Sequence, residues 1–389
     1  MNFKVKQQLI IAFIAISAIS ILISSVLIGD NAISESETAI KHQVEQKLIA
    51  ARDLKKSQIE DYFTLIDNQI KVASSAPWII DAADYLKQAF FDYPLQTGGK
   101  IEISAIKKYY ENEFDRVFKE NNDGNSANTS LLFNSISDNA LFLQQDYIAL
   151  NSQPLGSKDA LVKTENNSAY DILHQEYHPT LRKYLQTYGF YDIFIVEPDS
   201  GHIIYSVFKE LDFATSLMTG PYKDSGLGQA FKQGMQLQNA DDTALIDFAP
   251  YLPSYDAAAS FIASPIMRDG ERLGILIYQM PIDGINDIMT NKQSWKETGF
   301  GDSGETYLVG GDGLLRSQSR FLIEDKTAYL AAMSNSVDSK TLAKIDASGS
   351  AIGLQKVDNA SSQGALKGNS NITYLNDYRN EPVISAFTP

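Results

Sequence analysis

The sequence contains no cysteine, few histidines and fewer basic than acidic residues. The lack of cysteine excludes disulfides, thiolate catalysis and Cys-ligated zinc. The four scattered histidines, His42, His174, His178 and His202, leave little material for a His-based metal site. With 33 Lys+Arg against 48 Asp+Glu, the net charge is −15, which argues against a nucleic-acid partner because such proteins carry a basic face.

The length and composition indicate a folded protein of more than one part. The chain has 389 residues, of which 44% are hydrophobic and 21% are charged, so it can bury a sizeable core. This length exceeds that of one typical domain and predicts two domains, or one domain with appendages.

An uncharged run near the N-terminus predicts a transmembrane helix over residues 9–29. Leu9–Ile28 has no charged side chain, and a helix of this length spans about 30 Å, the hydrocarbon thickness of a bilayer. Lys4 and Lys6 precede it and acidic residues follow it, so the positive-inside rule places residues 1–8 in the cytoplasm. Residues after about 30 would then be periplasmic or extracellular, and lipid would surround residues 9–29.

A cleaved signal peptide is the alternative interpretation of this run. Signal peptides have a shorter apolar region, of about 7–15 residues, that ends in a small-residue cleavage site. The segment here is longer, and the sequence after it, SSVLIGDNA, offers no good site. The pattern therefore favours an uncleaved anchor in the inner (cytoplasmic) membrane.

Residues 30–76 have the pattern of a long amphipathic stalk helix. Neither Gly nor Pro occurs between Asn31 and Ser75, and Pro77 predicts the end of the helix. Apolar residues recur at helical spacing in both halves: Ile33, Ile40, Val44, Leu48 and Ala51, then Ile59, Tyr62, Phe63, Ile66, Ile70 and Ala73. The distal half has a domain to pack on, whereas the membrane-near half has no obvious partner in the chain. This difference favours a homodimer through the stalk helix.

The next part of the chain, residues 77–281, is predicted to combine helices with one antiparallel sheet. Helical patterns dominate Trp78–Gln186, and β-rich runs follow from Tyr191. The runs indicate two strands, a short helix over Leu227–Gln233 and three further strands. We expect a five-stranded antiparallel sheet with helices on one side.

A partial repeat suggests a second module of similar architecture over residues 297–389. Phe194–Gly201 aligns with Tyr307–Gly313, and Phe261–Pro265 aligns with Ile384–Pro389, at similar offsets. A helical linker, 282–296, joins the two modules. The second module stops where its last hairpin should begin, so we expect the sequence to be a fragment that lacks the closing strands and a second membrane helix.

The stretch Gly301–Phe321, GDSGETYLVGGDGLLRSQSRF, resembles the opening hairpin of the membrane-proximal module in double Cache sensors of bacterial receptors. Tyr191–Leu211 is similar to the matching hairpin of the distal module. The resemblance implies an α+β fold of two tandem PAS-like Cache modules, the second incomplete. It also implies a non-enzymatic sensor of a methyl-accepting chemotaxis receptor, with a histidine kinase or nucleotide cyclase as the alternative output.

The family places its small-molecule ligand in the distal module. Polar and aromatic residues at the strand and loop ends of that module are the candidates for ligand contact: Tyr191, Tyr205, Lys209, Asp212, Asp247, Tyr251 and Tyr255. A lysine suits a carboxylate, an aspartate suits an amine, and tyrosines offer a ring and a hydroxyl. The family's amino-acid-binding members carry Arg-x-Trp-Tyr, but neither Trp78 nor Trp295 follows that pattern. The ligand therefore stays unassigned, and no cofactor is indicated.

Three further patterns have a structural and a functional interpretation. The polar cluster Arg316, Ser317, Ser319 and Arg320 could bind an anion, although bracing of a loop is favoured. Gly299–Gly304 matches G-x-G-x-x-G but precedes a strand, which is the wrong context for a dinucleotide site. His174 and His178 have metal-ligand spacing, yet we expect a solvated helix end.

Two other classes of function stay open. A membrane-anchored envelope enzyme would need a nucleophile with its base or a suitable carboxylate pair. No G-x-S-x-G motif occurs, but carboxylate pairs are too common here to exclude one. An adhesion or scaffold protein is the third class, and it predicts no stabilisation by small molecules.

Overall fold

A computed structural model describes residues 4–389, so residues 1–3 of the predicted cytoplasmic segment lie outside the described part. The chain divides into two compact units. One unit comprises Met1–Lys56 with Asn359–Pro389, and the other comprises Ser57–Asp358. The predicted second module, 297–389, is thus shared between the units, and the tandem arrangement stays a prediction.

Helix α1 (Val5–Ser74) is continuous for 70 residues. Its N-terminal part is apolar and exposed, and it is the one helix among residues 4–389 that is long and apolar enough to cross a membrane. Helix α1 ends at Ser74, just before Pro77, where the sequence predicted its end. The next helix, α2 (Pro77–Thr97), begins at that proline. Proline is tolerated there because an N–H in the first turn of a helix has no intrahelical acceptor. The apolar run and the predicted stalk are therefore parts of one continuous helix.

Helices and short turns make up the rest of the Ser57–Asp358 unit before its sheet. The α-helices between α2 and the sheet are α3 (Ile103–Lys108), α4 (Asp115–Asn121), α5 (Thr129–Phe133), α6 (Asp138–Gln144) and α7 (Ala169–Tyr188). π-Helical turns occupy Tyr109–Phe114 and Gln145–Ala149, and a 3₁₀ turn occupies Lys158–Ala160. Ser168 caps α7 in a reciprocal box with Asp171, which fixes where that helix starts.

The predicted five-stranded antiparallel sheet is confirmed. Its strands are β1 (Asp192–Val196), β2 (Ile203–Ser206), β3 (Ala244–Tyr251), β4 (Ala257–Arg268) and β5 (Glu271–Gln279), in the order β2-β1-β5-β4-β3. Helix α8 (Gly226–Gly234) lies between β2 and β3 in sequence, as predicted. Asp269 and Gly270, both with positive φ, form the tight turn between β4 and β5.

Helices cover both faces of this sheet, which corrects the expectation of helices on one side. Gly234 of α8 lies so close to Ile275 that an added Cβ would be 2.8 Å from its side chain. Ser74 of α1 bonds Ser264 at 2.9 Å, and Tyr184 of α7 contacts the ring of Tyr278. Because side chains alternate along paired strands, Ile275 points to one face, and Ser264 and Tyr278 point to the other.

After the sheet, the unit continues with helices and one short hairpin-like turn. The helices are α9 (Ile282–Thr290), α10 (Arg320–Glu324), α11 (Lys326–Met333) and α12 (Ser339–Ser348). The predicted hairpin around residues 307–317 contains a single β-bridge, Val309 to Leu315, in place of two full strands. The Gly-rich turn is closed by the Gly310 N–H, which donates to the carbonyl of Leu314 at 2.9 Å.

The Met1–Lys56 and Asn359–Pro389 unit packs a small sheet with part of α1. Helix α13 (Ala360–Leu366) precedes the antiparallel pair β6 (Asn371–Asn376) and β7 (Pro382–Phe387). Arg52 of α1 donates to the carbonyl of Phe387 at 3.2 Å, and the Tyr374 hydroxyl donates to Glu45 at 2.8 Å. Hydrogen bonds therefore fasten this sheet to the helix.

Candidate functional site

A small enclosed cavity lies beside the sheet of the Ser57–Asp358 unit. Four segments close it: the π-helical turn after α3, the loop before the Lys158–Ala160 turn, the segment after β2 and the turn after β3. It has about 10 Å³ of space, which is room for about one water. Its lining combines aromatic and charged residues: Tyr109, Phe114, Leu155, Gly156, Lys158, Phe208, Lys209, Glu210, Leu211, Pro253 and Tyr255.

Glu210 lines this cavity, and its carboxyl group has no ion-pair partner among the described residues. Among residues 4–389 it has no side-chain hydrogen bond and no ion pair, although its backbone carbonyl accepts from Phe213. Burial raises the pKa of Glu210 well above its usual value, and the neighbouring Asp212 and Asp192 raise it further. The fold therefore favours the neutral form of Glu210 more than water does.

Asp212 and Asp192 complete a cluster of three acids, in which the two aspartates are buried and Glu210 is partly buried. The hydroxyl of Tyr251 donates to Asp212 Oδ2, while Oδ1 has no partner within the described chain. Burial raises the pKa of Asp212 to about 6. Burial, and then Asp212, raise the pKa of Asp192 to about 7, although Asp192 accepts from the backbone of Val207 at 2.9 Å.

Lys209 directs its ammonium group to backbone carbonyls. Nζ donates to the carbonyls of Ser206 at 3.0 Å and Val207 at 3.2 Å. It also lies 5.4 to 5.9 Å from the ring centres of three aromatic residues, Tyr147, Tyr205 and Phe213. Burial lowers the pKa of Lys209 to about 7, so part of its population is neutral at that pH.

His174 and His178 are buried, which corrects the expectation of a solvated helix end. Their rings stack at 4.3 Å, and His178 Nδ1 pairs with the Tyr205 hydroxyl at 2.7 Å. Burial, and then Lys209, lower the pKa of His178 to about 2. Both rings are thus neutral. Residues 4–389 contain no group of three or more His, Cys, Asp or Glu side chains that could hold a metal ion.

The structure brings four of the seven predicted contact residues to the cavity or its acid cluster. Lys209 and Tyr255 line the cavity, and Asp212 and Tyr251 bond each other in the acid cluster. The other three predicted residues make contacts elsewhere. Tyr205 pairs with His178, Tyr191 donates to Asp283 at 3.1 Å, and Asp247 pairs with Arg316. Ligand contact by all seven stays a prediction.

Sequence reasoning missed Glu210, Tyr109 and Lys158. Glu210 lies between two predicted residues, Lys209 and Asp212, so its position was a usable signal. Lys158 has no comparable signal, because only the fold brings its loop to the cavity. Its Nζ donates to the carbonyl of Asn151 at 2.7 Å and lies 5.4 Å from the ring centre of Tyr109.

The polar cluster around Arg316 and Arg320 has the contacts of a brace. Arg316 is buried and forms ion pairs with Asp247 at 2.8 Å and with Asp312 at 2.9 Å. Arg320 donates to the carbonyl of Gly304 at 2.6 Å and lies 5.0 Å from the ring centre of Trp295. Both guanidinium groups are therefore engaged by protein atoms.

No protein-family model and no curated protein matches this chain. Among solved structures, the ligand-binding domain of the Campylobacter jejuni chemoreceptor Tlp3 in complex with 4-methylisoleucine is similar, with 14% identity and a TM-score of 0.32. That match covers 74% of this chain and 87% of the Tlp3 chain.

Two other sensor domains also match. The ligand-binding domain of the Pseudomonas aeruginosa chemoreceptor PctC, in complex with GABA, has 12% identity and a TM-score of 0.27, over 48% of this chain and 62% of that one. The sensor domain of the V. cholerae histidine kinase DctB has 16% identity and a TM-score of 0.22, over 45% and 60%. With TM-scores this low, none of these likenesses bears on function, and the proposals below rest on this chain's own residues.

Proposed function

We propose that this chain is the extracytoplasmic ligand-sensing part of a bacterial membrane receptor, anchored in the inner membrane by residues 9–29. The observation that carries the proposal is the continuity of α1. Its N-terminal part is apolar and exposed, and its C-terminal part, including Ile66 and Ile70, is in the core of the unit that holds the cavity. A small molecule that changes this unit thereby acts on the same helix that crosses the membrane.

The receptor type that we propose is a chemoreceptor of the methyl-accepting class. The Gly301–Phe321 stretch supports a double Cache sensor, and such sensors occur most often in receptors of that class. The runner-up is the sensor region of a histidine kinase or nucleotide cyclase, which the same stretch accommodates. A membrane-anchored enzyme is the more remote alternative, and the braced Arg316 and Arg320 offer it no free anion site.

The active form that we propose is a homodimer through the stalk part of α1. Ile33 and Ile40 are 59% and 60% exposed, and Val44 is 38% exposed. These three residues lie seven and four positions apart, so they share one face of the helix. A second copy of the same face is the partner that this spacing favours. Signalling then requires that ligand binds two arrangements of the dimer with different affinity.

Single-cysteine labelling tests the proposed orientation, because every introduced cysteine is the only one in the chain. Asp199→Cys, at a side chain that is 82% exposed, should react with a membrane-impermeant maleimide in intact cells with a permeable outer membrane. Lys4→Cys should react only after lysis. Equal labelling of both before lysis, or recovery of the protein in the soluble fraction, would contradict the proposal.

A further inference from the structure

Within the described chain the carboxyl group of Glu210 has no ion pair and no side-chain hydrogen bond, whereas Asp192 interacts with the charge of Lys209. The charged groups that act on Glu210 are both acidic, Asp212 and Asp192. The two lysines of the lining are engaged by carbonyls: Lys158 by Asn151, and Lys209 by Ser206 and Val207. Because the partly buried carboxyl group of Glu210 has no opposite charge beside it, a ligand that brings a positive charge would stabilise its ionised form.

Two tyrosines, Tyr109 and Tyr255, line the cavity together with Glu210. Burial raises the pKa values of both and of Tyr222 and Tyr251, and the charge of Glu210 raises them further. Tyr255 also stacks on Phe114, with ring centres 5.0 Å apart. A carboxylate among aromatic rings is an environment that attracts cations, since the ring faces carry partial negative charge.

Two buried polar atoms of this region have no hydrogen-bond partner in the described part of the chain. They are Asp212 Oδ1 and the hydroxyl oxygen of Tyr222, on residues that are 1% and 3% exposed. Most buried polar groups in proteins are satisfied, so orphaned ones indicate a missing partner. Both residues contact Tyr251, whose hydroxyl donates to Asp212 and whose ring centre is 6.3 Å from that of Tyr222. An acceptor oxygen and a hydroxyl there are suited to a donor such as an ammonium group.

We propose that the cavity binds a small organic cation, an amine or quaternary ammonium compound without a carboxylate, whose charged group pairs with Glu210 and lies against the tyrosine rings. This inference deepens the proposed function and rests on it, because it names the ligand class of the same site. A carboxylate on the ligand is disfavoured, since no arginine lines the cavity and both lysines already have acceptors. The space of about 10 Å³ holds about one water, so the residues that close the cavity must move outward to admit an amine or a quaternary ammonium compound.

The test is calorimetry and thermal unfolding of the full chain in detergent with four probes of similar size. Butylamine and choline are the cations, butyrate is the anion, and 4-aminobutyrate carries both charges. We expect at least one of the two cations to bind and to raise the unfolding temperature, because a ligand that binds only the folded state stabilises it. Butyrate should do neither, and 4-aminobutyrate should bind more weakly than butylamine.

Matched variants locate the binding. Glu210→Gln keeps the shape of the side chain and should weaken cation binding roughly tenfold or more, as for loss of a hydrogen bond to a charged group. Tyr255→Leu should weaken it through loss of the ring, whereas Tyr255→Phe should retain it. Asp224→Asn, at a side chain that is 80% exposed, is the control and should change nothing. The Tyr255 pair keeps the test informative even where Glu210→Gln fails to fold.

The outcomes separate this inference from the proposed function. Binding of butyrate without binding of either cation would overturn the cation class and leave the sensing role intact. Cation binding that Glu210→Gln and Tyr255→Leu both leave unchanged would overturn the site. If the four probes and a broad screen of sugars, nucleosides and amino acids all fail to stabilise the chain, both proposals fail.

Discussion

Arg316 and Asp247 form a two-pronged ion pair, with Nε 2.9 Å from Oδ1 and Nη2 2.8 Å from Oδ2. The pair connects strand β3 to the Gly-rich turn at residues 310–313, where Arg316 also reaches Asp312. Arg316 is buried, which by itself lowers its pKa, but the hydrogen bonds that it donates to Asp247 and Asp312 outweigh burial and raise its pKa. The contact therefore ties the sheet to the segment that follows α9.

Asp247→Ala should destabilise the chain without changing ligand affinity. The variant removes one partner of a buried guanidinium and leaves Asp312 and the Leu314 carbonyl, so we expect a loss of about 1–3 kcal/mol in the free energy of unfolding. Urea unfolding checks the stability, and calorimetry with the best cation probe checks the affinity. The control is Asp224→Ala, which should have little effect because its ion pair is exposed. A loss of affinity in Asp247→Ala at unchanged stability would restore Asp247 as a ligand contact.

Cation binding should release a proton and strengthen as the pH rises. Burial and acidic neighbours raise the pKa of Glu210, whereas a bound cation favours its carboxylate, so binding drives ionisation. Over the pH range in which Glu210 titrates we expect affinity to rise by up to about tenfold per pH unit. The groups that face Glu210 are the lysines of the cavity, Lys158 and Lys209, together with Asp192, Asp212, Tyr109, Tyr222, Tyr251 and Tyr255. Burial lowers the pKa of Lys209 to about 7, so its loss of charge as the pH rises also favours a bound cation.

Calorimetry in two buffers of different ionisation enthalpy measures the number of protons released. Glu210→Gln is the matched variant, because it removes the proton while preserving the side-chain volume. Its residual binding should release fewer protons than that of the parent. Identical proton release in the two proteins would mean that another group titrates.

Asp212→Asn should flatten the dependence of stability on pH between about pH 4 and about pH 6. Burial raises the pKa of Asp212 to about 6 in the folded state, so the folded chain holds a proton that the unfolded chain has already lost. Its contribution to stability is therefore full below about pH 4 and is lost as the pH rises through the folded pKa. For a shift from 3.8 to about 6 the loss is about 3 kcal/mol.

Unfolding by urea at several pH values, for the parent and for Asp212→Asn, measures this difference. The variant keeps an oxygen that can accept from Tyr251, so the comparison isolates the ionisation of the acid. Asp224→Asn again serves as the control, with the pH profile of the parent. A profile of Asp212→Asn that runs parallel to the parent's would contradict the raised pKa.

Disulfide cross-linking should occur on one face of the stalk. Ile33→Cys, Ile40→Cys and Val44→Cys each place a lone thiol on the apolar face, and a parallel homodimer brings each next to its copy. His42→Cys lies on the opposite side of the helix by the 100° advance per residue, and it should cross-link poorly. Equal cross-linking at all four positions would mean that the copies meet by collision alone, and that the proposed interface does not exist.

The long helix and the sheet were predictable from sequence because both depend on periodicity. The uncharged run, the absence of Gly and Pro and the break at Pro77 predicted α1 almost to its last residue, Ser74. Alternating apolar runs predicted the five strands. The side of the sheet that α8 covers was not predictable, because an amphipathic helix of nine residues has an apolar face that fits either side.

The cavity was less predictable, because the burial of a polar residue leaves no local pattern. The sequence predicted that His174 and His178 are on the surface. Both instead lie on the buried face of α7, where each forms a hydrogen bond with a backbone carbonyl. Glu210 lies between two predicted residues but was overlooked, because only the fold shows that no cation among the described residues forms an ion pair with its carboxyl group. Residues chosen by type alone, such as Asp247, instead found partners that the sequence did not reveal.

The 70 residues of α1 have a mechanical consequence. A helix of this length is about 105 Å long, and its hydrogen-bonded backbone resists stretching far better than a loop does. Gly29, directly after the apolar run, is the one glycine in α1, and neither Gly nor Pro follows it up to Ile70. In the proposed orientation, a slide or twist imposed on α1 near Ile70 would therefore be transmitted toward the bilayer along a continuous hydrogen-bonded backbone.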